Sequence, residues 1–238
     1  MSTSTPEKVL VWDLPVRLFH WLLALSFAGA WLTAESERWR QVHVTLGYTM
    51  AGLVAFRVVW GLVGSRYARF NSFVRGPSAT LRYFKSLFGT RPERHLGHNP
   101  AGAVAIVGLL LLILTTAGTG WAALNDWGGG WLEEGHEIAA NALLALVIVH
   151  LLGVAFGCFL HRENLVRSML TGRKYVTKVI TGSPETSGIA RSWSILGAAV
   201  LAAVLAFWAW QWQQQPDAIT TGTAGEVGKH QTRHAEDD

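Results

Sequence analysis

Five apolar runs set the terms on which this chain folds, spanning roughly 15–34, 43–64, 101–124, 137–160 and 193–212. Each is near the ~20 residues that cross a bilayer core as a helix. Within lipid every backbone polar group must be satisfied inside its own segment, so helix is the conformation these runs dictate. The run from Trp193 to Trp212 holds no charged residue. The second run carries Arg57, and histidines fall in or at the ends of the first, second and fourth. Ionisable groups at membrane depth mark the places where function is sought.

Composition excludes the main rivals. Only 15% of the 238 residues are charged and the mean hydropathy is +0.25, against about 25% charged in a soluble domain. That argues against a soluble globular protein and against disorder. One cysteine rules out a disulfide framework, a four-cysteine zinc site and covalent c-type haem, which needs C-x-x-C-H. Twelve tryptophans fit aromatic girdles at the membrane interfaces. The net charge of +4 does not point to nucleic acid, because the basic residues stand in blocks between the apolar runs.

Those blocks set an orientation. Residues 65–100 carry seven basic residues against Glu93, and residues 161–192 carry six against Glu163 and Glu185. Residues 125–136 carry Asp126, Glu133 and Glu134 and no basic residue. The positive-inside rule places 65–100, 161–192 and the amino terminus in the cytoplasm and residues 213–238 outside. No small-residue cleavage site follows a short apolar core, so the first helix is expected to stay as an uncleaved anchor. Pro15 suits the first turn of that helix, and Asn99-Pro100 reads as an N-cap followed by proline at the start of the third. Residues 161–192 read as a linker and the tail after Pro216 as disordered.

The histidines carry the chemistry. Nine occur, at 20, 43, 95, 98, 136, 150, 161, 230 and 234. His136 and His150, 14 residues apart on the fourth helix, are separated by about 21 Å along its axis and about 40° around it. They face one side at two depths. With helices one and two running in opposite directions, His20 matches His150 at the inner level and His43 matches His136 at the outer. Two imidazoles on facing helices hold a haem iron from both axial sides, and two such levels make an electron wire across the bilayer. Zinc wants four ligands close together, which two-histidine levels do not supply. His161 rivals His150, but it would lie about 37 Å from His136 and opens a charged run, so it reads as interfacial. No ligand role falls to His95, His98, His230 or His234. Arg57 stands 14 residues after His43, facing nearly the same way at the inner level. Its guanidinium is either a propionate partner for an inner haem or a snorkelling cation near the cytoplasmic end.

The chain resembles the bacterial cytochrome b561 and nickel-iron-hydrogenase cytochrome b family. The resemblance rests on V-W-D-L-P-V-R-L-F-H-W at 11–21, V-H-V-T-L-G-Y at 42–48, F-R-V-V-W-G-L-V-G-S at 56–65, and G-H-N-P at 97–100. It adds G-H-E at 135–137 with V-H at 149–150, and extends to about residue 174. It implies an all-α integral membrane four-helix haem-binding bundle over 11–174, with two haem b. The axial ligands it implies are His20, His43, His136 and His150, the set chosen by depth. A cytoplasmic linker at 175–192, a fifth transmembrane helix at 193–212 and a flexible tail at 213–238 complete the expected organisation.

The family implies electron exchange, in a bacterial inner membrane, between the quinone pool and a redox partner on the outer side. H-R-E-N-L-V-R-S-M-L-T-G-R-K at 161–174 resembles members that accompany c-type cytochromes, so a periplasmic c-type cytochrome is the expected partner and a nickel-iron hydrogenase the alternative. A superoxide-using member would want a positive funnel for its anion, and the acidic stretch Asp126, Glu133, Glu134 and Glu137 disfavours it. A transporter or assembly anchor is the reading from another class. The quinone is expected at the cytoplasmic side, with Asp13 either handling its proton or capping the first helix.

Overall fold

The computed structural model describes residues 7–87, 95–176 and 187–214. In chain order it contains strand β1 (Glu7–Leu10), helix α1 (Leu14–Thr33), a 3₁₀ turn (Glu37–Trp39), α2 (Arg40–Val63), α3 (Phe70–Phe73), α4 (Pro77–Leu87), α5 (Pro100–Leu124), α6 (Gly130–His161), α7 (Leu165–Thr171), β2 (Arg173–Val176) and α8 (Ser194–Gln213). Five of its helical stretches, those containing α1, α2, α5, α6 and α8, are long and apolar enough to cross a membrane. The protein is an all-α, multi-pass membrane protein.

The helix starts follow sequence chemistry. Asp13 caps α1, its Oδ1 accepting the Val16 N–H at 2.9 Å, with Pro15 in the first turn. Asn99 caps α5 by accepting the Gly102 N–H at 2.6 Å, with Pro100 at the first position. These side chains satisfy amides that a helix start leaves orphaned. Helix α6 begins at Gly130, a full two turns ahead of the expected 137. Its first turns carry Trp131, Leu132, Glu133 and Glu134, and carboxylates favour the positive end of a helix dipole. The loop from α5 is therefore only 125–129, and Glu133, Glu134 and Glu137 are exposed helical residues.

Among the long helices, α1 packs on α2, α2 on α5 and α5 on α6. Helix α6 has no comparably close backbone approach to α1 or α2. That stand-off leaves side chains rather than backbones to bridge α6 to the first helix pair.

The segment 161–192, expected as linker, is partly folded. The ladder β1–β2 is antiparallel, with Val9 opposite Lys174 and Leu10 opposite Arg173. Val11 and Trp12 both donate backbone N–H to the Gly172 carbonyl, at 2.8 and 3.0 Å. Gly172 has φ +78°, and a Cβ there would lie 2.6 Å from the Trp12 carbonyl oxygen, so both conformation and space require glycine. Ile189 N–H donates to Leu10 O, Leu14 N–H to Ser192 O, and the Tyr67 hydroxyl to Ser187 O. A buried cluster of Val11, Trp12, Val16, Trp60, Tyr67 and Ala68 lies beneath this clasp. The expected tail beyond 214 lies outside the described residues.

Candidate functional site

The pair expected at the outer level comes together as a unit. His43 on α2 and His136 on α6 face each other with ring centroids 6.1 Å apart and ring planes at 79°. The His43 Nδ1 lies 2.8 Å from the Ala30 carbonyl of α1, and the His136 Nδ1 lies 2.8 Å from the Thr116 carbonyl of α5. An Nδ1–H donated to a carbonyl fixes the tautomer and leaves Nε2 as the ligating nitrogen, the arrangement metal-bound imidazoles use. Gly120 makes room for this: a Cβ there would lie 2.8 Å from His136 Cε1 and Nδ1. Among the described residues no group of three or more metal-ligating side chains gathers, so a pair of imidazoles is the donor set on offer.

The pair expected at the inner level is built differently. His20 on α1 and His150 on α6 lie within electrostatic reach of each other. The His20 Nδ1 is buried without a partner, and its ring makes an edge contact with Trp21 at 5.1 Å. Arg57 of α2 is only 2% exposed, so it does not snorkel to water. Its guanidinium lies 4.8 Å from the Phe70 ring and 5.9 Å from the Phe73 ring, and Nη1 has no hydrogen-bond partner.

Asp13 is fully buried. Besides capping α1 it accepts from Trp60 Nε1 at 3.1 Å and from the Ser65 hydroxyl. Of the two readings, proton handling or capping, the structure shows the cap, with both oxygens accepting from donors of α1, α2 and the turn after it.

His98 is the residue that sequence reasoning passed over. Its ring packs at a tilt against Trp12 at 4.4 Å and Phe73 at 4.7 Å, and its Nδ1 is buried without a partner among the described residues. Burial, then the nearby Arg57 and Lys174 cations, then His20 and His150, push its pKa down to about 3, so it is a neutral imidazole near pH 7. The signal was available in its place immediately before the Asn99 cap, within G-H-N-P. Lys174 of β2 is 6% exposed and lies 3.5 Å from Glu163; burial lowers its pKa while Glu163 opposes that shift. His161 lies at the last residue of α6, where an interfacial reading places it.

A helical membrane bundle whose facing helices present imidazoles in pairs defines a class of protein: a membrane cytochrome holding haem non-covalently. The model of the prokaryotic cytochrome b561 family matches residues 11–172, and the chain belongs to that family. It is a membrane electron-transfer cytochrome with b-type haem. The match ends before α8 begins. Similar proteins include a probable Ni/Fe-hydrogenase B-type cytochrome subunit of Rhizobium leguminosarum bv. viciae, 23% identical over 215 residues, covering 71% of this chain and 89% of that one. The corresponding subunit of Azotobacter chroococcum mcd 1 is 26% identical over 211 residues, covering 69% and 87%. Cytochrome b562 of Cereibacter sphaeroides is 27% identical over 160 residues, covering 58% of this chain and 99% of its own. No solved structure matches.

Proposed function

We propose that the protein holds two haem b, one between His43 and His136 and one between His20 and His150, and passes electrons between membrane quinone and an outer redox partner. The observation that carries this reading is the outer pair. Two rings face each other across the α2–α6 stand-off, each with Nδ1 against a backbone carbonyl at 2.8 Å. Bound haem supplies a one-electron couple at each level. The chain's part is to fix the imidazoles and to shield the inner level with Trp12, Phe73 and the clasp over them.

The orientation follows the charge blocks: amino terminus in the cytoplasm, carboxy terminus in the periplasm, the whole in a bacterial inner membrane. The quinone then reacts near the inner pair. Arg57, buried with a free Nη1, faces a propionate of the inner haem, since a buried guanidinium calls for an anion. The partner is a periplasmic c-type cytochrome, drawn by the exposed carboxylates at the head of α6. The relatives named as hydrogenase subunits favour a nickel-iron hydrogenase as the second reading.

The test is a haem count together with visible spectra of the purified protein, oxidised and dithionite-reduced. Two haem b per chain, both reducible by a quinol analogue, is the expected result. One haem or none sinks the two-level reading, and haem inert to quinol sinks the quinone role.

A further inference from the structure

Two buried donors near His20 and His150 have no acceptor among the described residues. Arg57 Nη1 and His98 Nδ1 are both enclosed by protein and both without a hydrogen-bond partner. They come from different elements, α2 and the loop ahead of α5, and meet at one aromatic ring. Phe73 has the guanidinium 5.9 Å from its centroid and the His98 ring 4.7 Å away.

Among the described residues Arg57 has no ion-pair contact of its own. Arg57, Lys174, His20 and His150 all act on His98. Lys174 has its own counter-ion in Glu163. Asp13 attracts Arg57, but its oxygens already serve Val16, Trp60 and Ser65. A buried guanidinium with no carboxylate in contact is costly, and an unmade buried hydrogen bond adds to that cost. One carboxylate accepting from both donors would remove both penalties.

We propose that Arg57 Nη1 and His98 Nδ1 together hold one carboxylate of the haem seated between His20 and His150, which makes His98 a positioning residue for that haem. The inference rests on the reading of His20 and His150 as an inner ligand pair. A quinone carbonyl is an acceptor too, but it is neutral; a propionate is an anion with two acceptor oxygens, and so forms the stronger, charge-assisted bond to the guanidinium. The neutral His98 imidazole contributes a hydrogen bond without adding a second cation. Packing between Trp12 and Phe73 holds that ring in place.

A donor on the propionate spreads its negative charge. Removing the donor leaves more negative charge beside the iron and favours the oxidised form, which carries one more positive charge. The test is a redox titration of the purified holoprotein, washed free of quinone and followed by visible spectra. His98→Phe keeps an aromatic ring between Trp12 and Phe73 but cannot donate. At a fixed potential it is expected to lower the inner haem's reduced-to-oxidised ratio about tenfold, equivalent to about 59 mV for one electron. His98→Gln, which retains an N–H, is expected to shift it less, and Arg57→Gln in the same direction as His98→Phe. The outer haem should titrate as in wild type, and the propionate bending band in the resonance Raman spectrum should move in His98→Phe.

A purely structural role for His98 gives the reverse order, with Phe tolerated and Gln disruptive, and overturns the inference. So does a His98→Phe protein that titrates as wild type, or a shift that emerges only when quinone is added back. Two haems with no shift would overturn this inference alone. A wild-type protein without an inner haem would overturn it along with the reading beneath it.

Discussion

The two histidine pairs, His43 with His136 and His20 with His150, share one helix, α6, yet they are prepared in different ways. At the outer level both Nδ1 atoms lie against backbone carbonyls and the rings already face each other at 6.1 Å. At the inner level the His20 Nδ1 has no partner, and the neighbourhood is crowded with charge and aromatic surface: Arg57, His98, Trp12 and Phe73. The outer site is oriented by backbone, which no side-chain substitution removes. Around the second pair, the neighbouring chain is held by the Asp13 cap, a two-stranded ladder and hydrogen bonds from residues 187–192. On the proposed reading the difference teaches that ligand geometry and environment are separable tasks: one pair has its rings fixed by backbone, and the other lies near groups that would tune what it holds.

The largest effects should come from the ligands. His43→Ala or His136→Ala is expected to lose the outer haem and keep the inner, and His20→Ala or His150→Ala the reverse. Haem content would fall by half in each single variant, read by haemochrome assay, and members of a pair should share one residual spectrum. If His20→Ala and His43→Ala resembled each other and differed from the α6 variants, the pairing by depth would be wrong.

Asp13 comes next, because its loss strikes one level only. Asp13→Ala removes a helix cap and two further hydrogen bonds to a buried carboxylate, a loss of about 3 kcal/mol or more. Thermal melts in detergent should show a clear drop in midpoint, and the inner haem should be released before the outer one. Asp13→Asn keeps the cap and should leave the pH profile of quinone turnover in place. A profile displaced in Asp13→Asn with stability retained would restore a proton role to this residue.

The contrast also explains what could be read from the sequence. Helices α1, α2, α5, α6 and α8 were legible because lipid forces long apolar runs into helices, and Asn99-Pro100 and Asp13 with Pro15 announced their starts. The head of α6 was not, because Gly128, Gly129 and Gly130 and the acids after them look like a loop; only the helix dipole and the contacts of Leu132 favour winding there. The clasp was illegible for another reason. Segments such as Arg173–Val176 are four residues long and become a strand only because Glu7–Leu10 arrives beside them. That His43 and His136 face each other was legible from helix direction and depth. His98 was not, since spacing says nothing about a loop residue and its surroundings come from α3 and the chain ahead of α1.

A narrower perturbation should separate the outer level from the inner without touching a ligand. Gly120→Ala places a Cβ 2.8 Å from His136 Cε1 and Nδ1, so the ring or α5 must give way. Overpacking of this kind costs about 1–3 kcal/mol. The outer haem's absorption band and affinity should shift while the inner haem keeps its spectrum. An unchanged outer band would mean that α5 moves freely at this point and that the Thr116 carbonyl does not hold His136.

The smallest effect expected is electrostatic, at the surface nearest the outer pair. His136 stands in the second turn of α6, and Glu133, Glu134 and Glu137 around it are exposed. Placed beside an outer haem, they would draw a partner with a basic face toward that haem. Opposite charges raise the rate of encounter, and salt screens them over about 10 Å at 0.1 M. Electron transfer to a basic c-type cytochrome should therefore slow as salt rises. In the double variant Glu133→Gln/Glu134→Gln the rate at low salt should fall severalfold and the salt slope should flatten, while haem content and redox titration stay as in wild type. The inner level supplies the control: the same variant should reduce with quinol at the wild-type rate. Equal salt slopes in the two proteins would mean that these carboxylates serve only the helix dipole of α6, and docking would have to be sought elsewhere on the outer face.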